Sequence, residues 1–280
     1  EDRSDGLLVT PPAKLIAPEG TRNYIGAGGT PARFISGVSL ITYGSFTVHG
    51  IDRIHERPFV DLFAALVSAG VEIEYEGKEG FLPANFTNDP STHTERPVIT
   101  ISGKISSQFV SGLMLVAPRL RQGMTLIIDG DIPSKPYVEM TAKVIELFGG
   151  KCEIVGDWDR IELSYGLDSP EVFMIPGDAS SLSYPVTWSA LMGESVSVEN
   201  VGLDTLHGDE KFLDFVSDMG VSVKREGEKC VVEAGEGQGR GGAELKAVGE
   251  VDFENVSFKK QDITKETEVA FDKFIAMMRL

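Results

Sequence analysis

The sequence predicts an α/β fold of repeated strand–helix–strand–helix–strand–strand units, with the helices packed inside against small mixed sheets. Three observations carry that expectation. Glycines that close helical stretches fall at Gly70, Gly149 and Gly220, 79 and 71 residues apart. Each is followed by an alternating strand (VEIEYEG, KCEIVG and VSVKREG) and then by a second one. No Gly-x-Gly-x-x-Gly follows a first strand, and Gly26-Ala27-Gly28-Gly29 lacks both that spacing and a later acidic partner. A doubly wound dinucleotide-binding sheet is thereby excluded.

Taken in order, residues 1–28 hold prolines that permit only short extended pieces. Thr30 reads as an N-cap and Pro31 as the first residue of a helix running to about Thr42, with Phe34, Ile35, Val38 and Ile41 facing inward. SFTVHG (45–50) alternates as a strand, and Arg57 to Gly70 forms the next helix. VEIEYEG and GFLPANF complete the first unit. The second unit runs VITISG, helix 106–117, MTLIIDG, helix 134–148, KCEIVG and RIELSYG. The third runs EVFMIPG, helix 179–192, SVSVENVG, helix 209–219, VSVKREG and KCVVEAG. Beyond it, GEGQGRGG reads as a turn or linker, AELKAVGEVDFENV as one further strand pair, and residues 264–280 as a last helix. The domain expectation is 1–169 as a substrate-binding domain of two units, and 170–280 as a partial second domain with one unit and a divergent C-terminal helix.

Composition narrows the function. A net charge of −17 argues against a nucleic-acid partner, which needs a basic surface, but leaves room for a cleft that binds a small anion. No apolar run is long enough to span a membrane, and the N-terminus lacks the basic and apolar regions of a signal peptide, so the expected location is cytoplasmic. Cys152 and Cys230 sit among apolar strand residues as buried thiols. His49, His55, His93 and His207 have no metal-ligand spacing. Arg22, Arg33, Arg53, Arg57, Arg119, Arg121 and Lys135 all lie in the first half.

The chemistry concentrates at helix starts, where unpaired N–H groups favour an anion. Ser106, Ser107 and Gln108 open one helix; Ser134, Lys135 and Tyr137 open the next. The serines serve either as ordinary caps or as donors to a phosphate. Thr30 and Arg33 share the first turn of the first helix beside Gly29. Asp178, with Ser180 and Ser181, either caps its helix or faces a substrate hydroxyl.

These residues resemble the enolpyruvyl transferase family, in particular its shikimate branch. The resembling stretches, in family order over roughly residues 20–220, are GAGGTPAR, GIDRIHERP, ISSQF, GDIPSKPYVEMT, PGDASSLSY and HGDEKFLDFVSDMG. The resemblance implies transfer of the enolpyruvyl group of phosphoenolpyruvate onto a hydroxyl of shikimate 3-phosphate through a tetrahedral intermediate, with no cofactor and no metal. It implies that Ser106, Ser107, Ser134 and Tyr137 contact the shikimate phosphate or ring, and that Gln108 lies against both ligands. Gly29 and Arg53, with Thr30 and Arg33, would hold the phosphoenolpyruvate side. Arg53, Gln108 and Asp262 are the implied catalytic residues.

Departures accompany the likeness. Ala27 stands where the family carries Asn, two residues before the glycine matched by Gly29. KKQDITKETEVAF around Asp262 does not match the family's pattern. The family's Lys-Ser…Arg opening and its remaining second-domain units have no counterpart in the sequence. The expected partners are therefore the two small anions, together with a complementing domain or a second copy of the chain. The alternative is a catalytically impaired or non-catalytic homologue that binds a phosphorylated ligand or a protein.

Overall fold

Within residues 1–171 the recurring element is a pair of parallel strands joined through a helix. The computed structural model describes residues 12–102, 106–132, 134–173, 175, 177–192, 195–201, 208–218, 221–226 and 229–233. It also describes the backbone of four short strands, β1 (Asp2–Arg3), β2 (Gly6–Leu7), and two near the end given below. The chain divides into two compact units, Glu1–Glu171 and Val172–Leu280.

In the first unit, β3 (Leu15–Ile16) and β4 (Thr21–Tyr24) precede α1 (Gly29–Val38), and both pair in parallel with β5 (Thr42–His49). Two helices follow, α2 (Asp52–His55) and α3 (Val60–Ser68), then β6 (Glu72–Tyr75) and β7 (Ala84–Asn88), which add antiparallel in the order β5-β7-β6. The same path recurs with β8 (Val98–Ser102), α4 (Ser107–Val116), β9 (Met124–Asp129), α5 (Lys135–Leu147), β10 (Cys152–Val155) and β11 (Arg160–Leu163). Here β8 is parallel to β9 and the sheet order is β8-β9-β11-β10. The two units of the repeat thus share one topology, as the glycine spacing predicts. Gly70 and Gly149 end α3 and α5 with φ of +96° and +71°, a conformation that costs an L side chain dearly.

The helices lie inside. Strand residues of period two, Phe46 and Val48, Ala84 and Phe86, Ile99 and Ile101, Leu126 and Ile128, Ile161 and Leu163, point from both sheets into one core. Its centre is α4, whose residues Phe109, Val110, Leu113 and Met114 are all essentially without solvent contact. α4 packs on α1 and on α5. Against α1 the approach is close: a Cβ at Gly37 would stand 3.0 Å from the Gly112 carbonyl oxygen. Against α5 the buried Ser111 hydroxyl accepts from Thr141 Oγ1 at 2.8 Å, so the polar atoms at that contact are satisfied.

The second unit has α6 (Ala179–Met192), β12 (Val196–Val198), α7 (Lys211–Asp218), β13 (Ser222–Glu226) and β14 (Lys229–Glu233), with sheet order β12-β14-β13. The separate pair β15 (Val251–Phe253) and β16 (Val256–Phe258) follows. Leu182, Val186, Leu213, Val216, Cys230 and Val232 form its core. Among the described residues no helix is long and apolar enough to cross a membrane.

Some expectations need correction. α1 is capped by Gly28 in extended conformation, with no side-chain cap. Thr30 and Pro31 are therefore the second and third helical residues. Its most deeply buried positions are Ala32, Ser36 and Gly37, while Phe34, Ile35 and Val38 are half-buried, because the helix meets α4 along its small residues. α3 starts at Val60, three residues after Arg57; Pro58 intervenes and the residue before a proline avoids the helical region. No strand forms among residues 171–173, 175 and 177 of EVFMIPG, a stretch in which Pro176 lacks an N–H to pair. The closing glycine Gly220, the expected last helix over 264–280 and Asp262 lie outside the described residues.

Candidate active site

Parallel pairing decides where the helices begin. α1 leaves the carboxyl end of β4, and α2 and α3 follow that of β5. α4 leaves the carboxyl end of β8, and α5 that of β9. In each repeat the helix starts therefore stand beyond the same ends of a parallel strand pair, the place where α/β sheets bind ligands. Their unpaired N–H groups and positive dipole ends face an anion favourably.

A side-chain network ties the first repeat to the second at this edge. Arg33 Nη1 donates to Gln108 Oε1, and Gln108 Nε2 donates to Thr30 Oγ1 at 3.0 Å. The Arg33 guanidinium carbon lies 5.8 Å from the ring centre of Phe59 and 5.4 Å from that of Phe109, both buried. Burial first, and then the charge of Arg57, lower the Arg33 pKa from its ordinary value; an arginine nevertheless keeps its proton at neutral pH. Arg57 itself is exposed. Gly29 sits between the two: a Cβ there would fall 2.5 Å from Arg57 Nη1 and 3.1 Å from Arg33 Nη1. Among the described residues neither guanidinium has a carboxylate partner. Two like charges converge on a spot kept open by the absence of a side chain.

The other helix starts are polar too. Ser106 caps α4 from an extended conformation, its Oγ accepting from the Gln108 N–H at 3.3 Å, and Ser107 is buried. Ser134 takes the capping position of α5 without a side-chain capping bond, and Tyr137 is 37% exposed one turn on. Lys135 turns to the Trp158 ring, its Nζ 5.5 Å from the ring centre. In the second unit Asp178 accepts from the Ser180 N–H at 3.0 Å and from Ser181 Oγ at 2.5 Å. The Ser181 bond leads the effects that hold its carboxyl below the usual range, so of the two roles open to it the capping one is occupied.

The structure also sorts the cations. Arg22 forms a two-point pair with Glu76 at 2.5 and 2.9 Å, and Arg119 donates to the Ala13 carbonyl at 3.4 Å. Arg53 is exposed and pairs with Glu56 at 2.8 Å, three residues along the same segment. Gly29, Thr30, Arg33 and Gln108 are brought together; the guanidinium that joins them from α2 and its following turn is that of Arg57. Its sequence signal is the run Glu56-Arg57-Pro58, which places an arginine on the turn just ahead of α3.

Comparisons with known proteins place the chain in a family. The family model described as EPSP synthase (3-phosphoshikimate 1-carboxyvinyltransferase) matches residues 1–258. The chain belongs to the EPSP synthase family. A 3-phosphoshikimate 1-carboxyvinyltransferase of Janthinobacterium sp. (strain Marseille) is 36% identical over 205 residues, covering 72% of this chain and 46% of that protein. Another, of Burkholderia ambifaria, is 36% identical over 224 residues, covering 78% and 51%. In fold, the chain is similar to the solved EPSP synthase of Acinetobacter baumannii, with a TM-score of 0.57 at 21% identity over 78% of this chain and 48% of that one. The chain spans about half the length of the curated relatives it matches.

Proposed function

We propose that this chain provides the anion-binding wall of a 3-phosphoshikimate 1-carboxyvinyltransferase, the enzyme that moves the enolpyruvyl group of phosphoenolpyruvate onto a hydroxyl of shikimate 3-phosphate. The carrying observation is the Arg57 and Arg33 guanidiniums beside the open position at Gly29, with Arg33 tied through Gln108 to Thr30. In this reading Gly29 and Arg57 receive the phosphate or carboxylate of phosphoenolpyruvate, since a guanidinium matches such oxygens two at a time. Ser106, Ser107, Ser134 and Tyr137, at the starts of α4 and α5, receive shikimate 3-phosphate. Gln108 stands between the two subsites.

Preorganised donors of this kind stabilise charge as it develops on the oxygens of a tetrahedral intermediate. Arg53, paired with Glu56 and exposed, is assigned an electrostatic contribution at the rim. Asp262, the base implied by resemblance, has no step assigned to it.

The test is calorimetric titration with shikimate 3-phosphate and with phosphoenolpyruvate, and release of inorganic phosphate when both are present. Arg57→Ala weakens phosphoenolpyruvate binding and Ser134→Ala weakens shikimate 3-phosphate binding. Binding without phosphate release supports the non-catalytic alternative; wild-type protein that binds neither ligand overturns the reading.

A further inference from the structure

Gln108 has a hydrogen-bond acceptor at one end of its carboxamide and donors at the other, and its neighbours select one orientation. Arg33 possesses only donors, so the atom facing it is the amide oxygen. The amide nitrogen is then turned to Thr30, whose Oγ accepts from it. A hydroxyl that accepts in this way keeps its own proton available for a further acceptor. The direction of donation thus runs outward, from Arg33 through Gln108 to Thr30.

Arg33 itself is badly placed for presenting charge to solvent. It is half-buried between Phe59 and Phe109, its Nε is buried without a hydrogen-bond partner, and it lies near the positive end of α1. Arg57 is exposed and reaches closer to the position above Gly29. What the aromatic slot does provide is a fixed guanidinium plane, and a fixed donor is what holds a carboxamide in one of its two orientations.

We infer that Arg33 is a positioning residue, locking the Gln108 carboxamide across α1 and α4 so that Gln108 and Thr30 both offer donors to an anion beside Gly29. This rests on the anion-site reading of these helix starts. Without Arg33 the carboxamide is free to turn over. Its oxygen then faces Thr30 and takes the Thr30 proton, so a single turn removes two donors from the ligand side and leaves the direct charge of Arg57 untouched.

The experiment is a double-mutant cycle on the full chain, read by calorimetry with phosphoenolpyruvate as the probe at two ionic strengths. Thermal unfolding of each variant is followed by circular dichroism. Arg33→Met and Gln108→Leu each weaken binding about tenfold, and the double variant is within about twofold of Gln108→Leu alone. Arg33→Lys, which keeps one donor, recovers part of the loss. The salt dependence of binding stays that of the wild type in Arg33→Met and flattens in Arg57→Ala. Independent losses, about a hundredfold in the double variant, or a flattened salt dependence in Arg33→Met, would show that Arg33 meets the anion itself and overturn the inference while leaving the site intact. If Arg57→Ala and Gln108→Leu both bind like the wild type, the anion site itself is refuted and the positioning role falls with it.

Discussion

Two glycines facing each other across the α1–α4 contact should respond to the same substitution with opposite signs. A Cβ on Gly37 would lie 3.0 Å from the carbonyl oxygen of Gly112 and 3.3 Å from its carbonyl carbon, backbone atoms that can yield only if α4 moves as a whole. A Cβ on Gly112 would lie 3.4 Å from the Arg33 carbonyl oxygen and 3.4 Å from Phe34 Cδ1, ordinary contact distances. Alanine is favoured over glycine inside a helix by about 1 kcal/mol. Overpacking against a backbone costs about 1–3 kcal/mol. Gly37→Ala gains less than the full propensity term, being next to the last residue of α1, and should lose about 1 kcal/mol net. Gly112→Ala, mid-helix and without a clash, should gain about 0.5–1 kcal/mol. The assay is urea unfolding in a Trp188→Phe background. Of the two tryptophans, Trp158 then remains, packed against the core of the first unit, so that unit alone is read. A Gly37→Ala protein at least as stable as its parent, with Gly112→Ala less stable, would refute the packing argument. Because Arg33, Thr30 and Gln108 span this same contact, Gly37→Ala should also weaken phosphoenolpyruvate binding.

At the site, Gly29→Ala puts a methyl 2.5 Å from the exposed end of Arg57, which can swing aside, and 3.1 Å from Arg33 Nη1. Stability changes little while phosphoenolpyruvate binding in calorimetry weakens about tenfold or more, the loss of one charge-assisted hydrogen bond. Glu162 accepts from Thr125 Oγ1 at 2.7 Å and from Arg96 at 2.6 Å, which hold its carboxyl below the usual 4.5, the threonine bond first. A depressed folded value means that this stabilisation is present above pH 4.5 and fades as pH falls through the lower folded value, so Glu162→Gln flattens that part of an acid-unfolding curve. Arg96 also reaches Thr125 Oγ1 and the carbonyls of Gln122, Met124 and Leu163, and Arg96→Lys, which cannot reproduce that fork, lowers the urea midpoint by the equivalent of about 1–3 kcal/mol. Burial, aided by Glu146, pushes the Cys152 thiol up to about 11, so its labelling by a disulfide reagent at pH 8 runs about a hundredfold slower than that of an unfolded-state cysteine.

The local patterns that the chain repeats were legible without coordinates. Alternation such as VEIEYE, a glycine at Gly70 or Gly149 where a helix must stop, and polar residues at helix starts are short-range consequences of side-chain period and backbone freedom. They determined the strand–helix–strand–helix–strand–strand unit, the inward helices and the places of Ser106, Gln108 and Ser134 at helix starts. The motif strings placed the chain with the enolpyruvyl transferases. Element ends were less legible: Thr30 reads as a cap on residue type, but the extended Gly28 ahead of it already serves, and Pro58 delays α3 until Val60.

Tertiary structure alone decided which residues of similar promise meet. Arg53 and Arg57 lie four residues apart and look equivalent in the sequence, yet one turn of α2 gives the first to Glu56 and the second to the open position above Gly29. Thr30 and Gln108 are 78 residues apart and become neighbours only because Gly37 and Gly112 let α1 and α4 approach backbone to backbone. The opening stretch of α4, read from sequence as a polar cap, acquires its direction of donation from Arg33, a residue of the preceding repeat held between two phenylalanine rings. Chain-local chemistry settles what each helix start can offer. Packing between helices settles which offers converge, because that depends on distances no linear spacing encodes.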